Sequence, residues 1–190
     1  MKVGLFFGSF NPVHIGHLII ANIMVETSDL NQVWFIVSPQ NPLKAAKSLA
    51  HEFDRFDMVQ AGIDGSYHLR ASDIEFNMPR PSYTVDTLAY LADKHPEHEF
   101  SLIIGEDNLK SFPKWKNYRA ILDNYGLYVY PRPGETKAEL ANEANVNWVE
   151  APILDISATY IRNLVKQEKS IQYLVPDSVA QIIKSRKLYI

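Results

Sequence analysis

Short, uninterrupted apolar runs trade places with amphipathic stretches along nearly the whole chain, and this alternation most constrains the fold. Lys2–Phe7 and Val33–Val37 read as buried strands, followed by strands over Tyr67–Ala71, Phe100–Ile104 and Leu127–Tyr130, with Trp148–Ala151 as a candidate sixth. Between them, Ile15–Glu26 sets Ile15, Leu18, Ile19 and Ile23 on one helical face, and Phe53–Ile63 reads as a second helix. Val85–Lys94 is a third, stopped at His95-Pro96 because the residue before a proline disfavours helical backbone. Thr159–Lys166 and Asp177–Ser185 predict a helical C-terminal segment. Strands separated by helices require right-handed crossovers. The expectation is therefore an α/β, Rossmann-like, doubly wound and mostly parallel sheet with helices on both faces, built as one domain over residues 1–190.

Sheets of this kind bind ligands beyond the carboxyl ends of their strands, where the strand order reverses. Three unusual loops occupy that position in the sequence: Gly8–His14, Pro39–Lys44 and Gly105–Asp107. Composition narrows what they hold. A net charge of −3 provides no broad basic field, so nucleic acid is not an expected partner and any phosphate recognition must be local. The chain has no cysteine, which removes disulfides, thiolate metal sites and a cysteine nucleophile. No apolar run is long enough for a signal peptide or a membrane span, so the cytoplasm is the expected location. Oligomeric state cannot be read, because core and interface apolar residues look alike in sequence.

The first loop runs from a strand directly into a helix. Free backbone N–H groups and the positive helix end then meet at one spot that favours phosphate. Gly8 permits close backbone approach, Ser9 adds a hydroxyl, and Gly16 leaves room for a flat group against the helix. His14 and His17, three residues apart, share a face of the first turn. An imidazole pair aimed at a phosphate stabilises charge developing in a transition state. The pair lacks a third nitrogen or sulfur ligand at zinc-site spacing, so no protein-held metal is expected. A second helix start lies at Asp155–Arg162, where Ser157 and Thr159 are N-cap candidates and Arg162 carries a phosphate-shaped fork. On physical grounds alone, a plain capped helix with an exposed arginine is the better reading of that segment.

Gly8-Ser9-Phe10-Asn11-Pro12-Val13-His14-Ile15-Gly16-His17 matches every position of the G-[ST]-F-[DN]-P-x-H-x-G-H signature, and the chain resembles the nucleotidyltransferase superfamily. Ile156–Arg162 resembles that superfamily's I-S-[ST]-T-x-[IV]-R motif, with Ala158 in place of a second hydroxyl. Within the superfamily, the chain is similar over nearly its whole length to the bacterial nicotinate (nicotinamide) mononucleotide adenylyltransferases. The residues that carry this are Pro81-Ser82-Tyr83-Thr84-Val85-Asp86-Thr87-Leu88, Ile104–Leu109 with Phe112 and Trp115, and the Arg132–Gly134 turn. One loop departs, reading Asn41-Pro42-Leu43-Lys44 where that family commonly has P-P-H-[KR].

The resemblance implies transfer of AMP from ATP to nicotinate mononucleotide, giving deamido-NAD and pyrophosphate, with Mg²⁺ held mainly by the nucleotide. It implies catalytic roles for His14, His17, Lys44 and Arg162. ATP contacts would come from Gly8, Ser9, Phe10, His14, Gly16, His17, Gly105, Asp107, Ile156, Ser157, Thr159 and Arg162. Mononucleotide contacts would come from Asn41, Lys44, Thr84, Asp107, Trp115 and Arg132. Phosphopantetheine adenylyltransferases and cytidylyltransferases share the first motif. The former typically have threonine where His14 stands, and the latter lack the Thr84 and Trp115 elements. A nucleotide-binding module without catalysis is the remaining reading.

Overall fold

The computed structural model describes residues 1–39, 49–132 and 139–190. Six strands form one sheet: β1 (Lys2–Gly8), β2 (Gln32–Val37), β3 (Leu69–Ser72), β4 (Glu99–Gly105), β5 (Leu127–Tyr130) and β6 (Val146–Trp148). Their order is β3-β2-β1-β4-β5-β6, and every pairing is parallel. Parallel pairing forces each connection across a face of the sheet, which explains why its strands are apolar on both sides. Successive residues of β2 show this alternation. Val33, Phe35 and Val37 enter one core with Ile20, Met24, Met58 and Val59. Trp34 and Ile36 enter the opposite core with Leu88, Leu91, Ile121 and Leu122.

The helices are α1 (Ile15–Thr27), α2 (Glu52–Gly62), α3 (Thr84–Lys94), α4 (Glu106–Ser111), α5 (Tyr118–Asn124), α6 (Ala158–Lys166) and α7 (Asp177–Ser185). Helices α1, α2, α6 and α7 cover the first face, and α3, α4 and α5 cover the second. Two sequence readings shift. Strand β3 begins at Leu69, because its register with β2 pairs Val33 with Leu69, and Tyr67 stays outside the strand, fully in solvent. Strand β6 spans Val146–Trp148 instead of starting at Trp148, since Leu127 of β5 pairs with Val146. Helices α4 and α5 were not read from the sequence. Each is at most seven residues long, too short to display a helical period.

The strand order reverses between β1 and β4, so the loops that leave Gly8 and Gly105 flank the switch point. The loop after β2 lies next to them, with the Ser38 N–H donating to the Gly8 carbonyl at 2.9 Å. Among the described residues, no helix is long and apolar enough to cross a membrane.

Candidate active site

After β1 the chain turns through Ser9–Val13 into α1, whose N-cap is His14 in extended backbone conformation. The space a side chain would take at Gly8 is filled by the Phe10 ring, with Phe10 Cζ 2.8 Å from an ideal Cβ there. Phe10 has φ +43°, a backbone region in which a bulky residue needs outside support. Its ring packs against Phe6, His17 and Phe35 with centroids 5.9, 5.1 and 5.3 Å away, and the residue is 2% exposed. Gly8 thus makes room for the Phe10 ring, and that ring forms a buried floor beneath His17.

The two imidazoles stack, with centroids 3.7 Å apart and planes 27° from parallel. His17 Nδ1 accepts the backbone N–H of His14 at 3.3 Å, which leaves the ring hydrogen on Nε2. His14 Nδ1 is buried without a hydrogen-bond partner among the described residues, so Nε2 is the atom left to meet a ligand. Gly16 explains how the rings fit: an ideal Cβ there would stand 3.1 Å from His14 Nδ1. The flat group that Gly16 accommodates is thus the chain's own His14. Burial, reinforced by the Arg132 guanidinium, lowers the His14 pKa to about 4. Burial, then His14 and Arg132, holds His17 well below the ordinary imidazole range. Both rings are therefore neutral at neutral pH in the free protein.

A cleft faces this pair, lined by His14, Gly16, His17, Arg132, Leu154 and Ile156 among others. Arg132 was expected on the mononucleotide side, yet it borders the same cleft as the histidines. Its Nε lies 3.5 Å from Asp107 Oδ1, and its Nη2 donates to the Tyr130 hydroxyl at 3.2 Å. Gly105 permits this pairing, since a Cβ there would collide with Asp107 Oδ1 at 2.4 Å. Asp107 itself is exposed, in the first turn of α4.

Helix α6 starts beside the first loop. Ser157 is its N-cap and accepts the Tyr160 N–H at 3.2 Å, while Thr159 lies inside the helix and accepts from Arg162 Nη2 at 3.1 Å. Arg162 Nη1 donates to the Asn11 carbonyl at 2.8 Å, so the arginine joins the second motif directly to the first. Asn11 is also fixed through its side-chain Oδ1, which accepts from the Ala50 N–H at 3.0 Å and the Tyr189 hydroxyl at 2.9 Å.

Thr84 and Trp115 do not line this cleft. Thr84 is the first residue of α3, with Tyr83 as N-cap. Trp115 packs on Phe112 at 5.4 Å, and its indole nitrogen is buried without a partner among the described residues. The next residue, Lys116, donates to Asp86 at 2.8 Å and lies 4.5 Å over the Tyr83 ring. The tryptophan segment is thereby tied to the first turn of α3, where Thr84 stands. Asn41, Leu43, Lys44 and Gly134 lie outside the described residues, as do most of the Pro39–Lys44 and Pro131–Glu135 segments. The sequence reading gave no role to Asn11, Tyr189, Arg55 or Glu75. Two of them carried a signal: Asn11 as a position of the signature loop, and Arg55 as an arginine in the apolar stripe with Met58 and Val59.

Comparison with known proteins places this site in context. The cytidylyltransferase-like family model matches residues 5–164. A Cytophaga hutchinsonii protein named "Probable nicotinate-nucleotide adenylyltransferase" is 64% identical over 189 residues, covering 100% of this chain and 98% of its own length. A Flavobacterium psychrophilum protein of the same name is 50% identical over 191 residues, covering 100% and 99%. Among solved structures, Plasmodium falciparum nicotinic acid mononucleotide adenylyltransferase complexed with NaAD superposes with a TM-score of 0.82 at 19% identity, covering 99% of this chain and 97% of that one. At that identity the structural likeness speaks for the fold, and the close relatives speak for the family. With the signature loop, its stacked histidines and Arg162 in one assembly, the chain belongs to the nicotinate-nucleotide adenylyltransferase family.

Proposed function

We propose that this protein transfers AMP from ATP to nicotinate mononucleotide, releasing pyrophosphate and forming deamido-NAD, within a single cytoplasmic domain. The observation that carries the reading is the neutral, stacked His14–His17 pair at the N-terminus of α1, joined through Arg162 to the second motif. A phosphate oxygen of the mononucleotide attacks the α-phosphorus in line, and pyrophosphate departs opposite. The nucleophile is already anionic, so no general base is required, and catalysis consists of positioning and charge stabilisation.

Each Nε2 meets the phosphates as a neutral donor. Negative charge arriving beside the rings raises their proton affinity, so the pair gains positive character only when substrate is present. Arg162 and Arg132 add fixed positive charge, and the resemblance assigns a further one to Lys44, which lies outside the described residues. Among the described residues, no carboxylate lines the cleft. Mg²⁺ would therefore arrive on the triphosphate, coordinated by its oxygens and by water, and would help to neutralise it. On the acceptor side, the N-terminal N–H groups of α3 at Thr84 suit a nicotinate carboxylate, and Trp115 offers a face for the pyridine ring.

The test is pyrophosphate release by purified protein with ATP and Mg²⁺, each acceptor supplied in turn. Release with nicotinate mononucleotide and none with phosphopantetheine supports the reading. ATP binding without release from any mononucleotide contradicts it.

A further inference from the structure

Beneath the two substrate regions lies a buried polar chain that the mechanism above does not use. Its largest member is Arg55 of α2, which is 0% exposed. All three guanidinium nitrogens donate to backbone carbonyls. Nε donates to Ala50 at 3.0 Å, Nη1 to Ser9 and Ser38 at 2.6 and 2.7 Å, and Nη2 to Pro39 at 2.9 Å. Ser9 belongs to the nucleotide loop after β1, and Ser38 and Pro39 to the loop after β2. None of the four acceptors is a carboxylate. The nearby Glu52 is engaged with Arg80 at 2.9 Å.

Ser38 continues the chain. Its hydroxyl, with those of Ser82 and Thr87, faces the carboxylate of Glu75, which is 2% exposed. Thr87 donates to Glu75 Oε1 at 2.8 Å, while Oε2 has no partner in good geometry among the described residues. Ser82 and Thr87 flank Thr84 at the start of α3. Arg55 thus ties Ser9 to Ser38, and the Ser38 hydroxyl faces Glu75, whose hydrogen bond in good geometry comes from Thr87 in the first turn of α3.

A buried arginine without a counter-carboxylate is a costly way to obtain stability, and well-packed apolar residues commonly do as well or better. What the planar fork supplies is geometry, since it fixes four carbonyls from two loops relative to one another. A lysine, a single point of charge on a flexible stem, cannot span them. In-line transfer depends on such registration, because a misplacement of about 1 Å between reacting groups costs roughly 10²-fold in rate.

We propose that Arg55 is a positioning residue for nucleotidyl transfer: through Ser38 and Glu75 it holds the nucleotide loop in register with the α3 N-terminus on the acceptor side. This rests on the function proposed above. It touches neither substrate, so its removal affects the alignment of both together more than the binding of either alone.

The experiment compares wild type with Arg55→Lys, Glu75→Gln and the double variant. It measures kcat at saturation, and the binding of a non-hydrolysable ATP analogue and of nicotinate mononucleotide separately. Each single variant is expected to lose about tenfold or more in kcat while both separate affinities stay within about threefold. The double variant is expected to lose less than the product of the two single losses, because both substitutions cut one chain. If Arg55→Lys does not fold, Arg55→Gln replaces it in the same cycle, and the kcat of Glu75→Gln still decides by itself. Wild-type kcat in the single variants overturns the proposal, as do fully additive losses, or a lowered melting temperature with kcat per folded molecule unchanged. A wild-type protein without turnover refutes the proposed function instead.

Discussion

The nucleotide loop and the acceptor side of this site are built in opposite ways. Around Gly8–His17, bonds arrive from three separate parts of the chain: Ala50 and Arg55 at the start of α2, Arg162, and Tyr189. The two imidazoles rest on a buried floor, and His14 is 5% exposed. On the acceptor side, Thr84 opens a helix whose first turn is secured to the Trp115 segment by the Lys116–Asp86 pair. Both side chains of that pair are more than two-fifths exposed. Such surface pairs contribute only about 0–1 kcal/mol. The difference teaches a division of labour. Charge stabilisation needs donors that do not reorganise during the reaction, so the phosphate loop is braced from all sides. On the acceptor side as proposed, α3 is anchored from below by Thr87 on the buried Glu75, and its link to the Trp115 segment is the light, exposed one.

The strongest break in this contrast is His14→Ala. Loss of one placed donor is expected to lower kcat by about 10²–10³-fold, with the KM for the mononucleotide little changed. Equal loss in kcat and in acceptor affinity would mean that the loop also serves recognition.

Acid tests the brace without substrate. His14 is about 4 in the folded state and 6.5 when unfolded. Between those values the unfolded chain binds more protons. The stability of the neutral folded form is therefore complete above pH 6.5 and declines as pH falls towards 4. The linked loss is about 3 kcal/mol. Urea denaturation at pH 7 and pH 4 should show wild type losing more stability than His14→Ala, by roughly that amount. Identical pH dependence in the two proteins would place the His14 ring in water.

Gly16→Ala sharpens the comparison at smaller scale. The added methyl stands 3.1 Å from His14 Nδ1, so the ring must yield by a few tenths of an ångström. Alanine also favours the helix by up to about 1 kcal/mol. The expected outcome is kcat lowered about tenfold with an unchanged or raised melting temperature. The smallest effect belongs to the open side. Trp115→Ala should raise the mononucleotide KM about threefold to tenfold at nearly constant kcat, the loss of one stacking face.

The sheet was legible because parallel strands covered on both faces leave continuous apolar runs, and Leu127–Tyr130 of β5 was read to the residue. The loop motifs were legible because their residue types are unusual at strand-to-helix junctions. What escaped was set by contacts distant in sequence. Nothing local announces that Phe10 folds back over Gly8, or that Arg132 crosses to the histidines and Asp107. Glu75 lies in a polar stretch that reads as surface, and only the docking of α3 buries it against Thr87. Arg55 sat in plain view on an apolar helical stripe. Its significance depends on two loops that converge only in the fold.

The division of labour is tested most directly by steady-state kinetics of His14→Ala and Trp115→Ala measured side by side, with nicotinate mononucleotide varied at saturating ATP. A fall confined to kcat in the first and a rise confined to KM in the second is the expected result. A His14→Ala variant that keeps full kcat, or a Trp115→Ala variant that loses kcat as steeply as His14→Ala, would contradict the account.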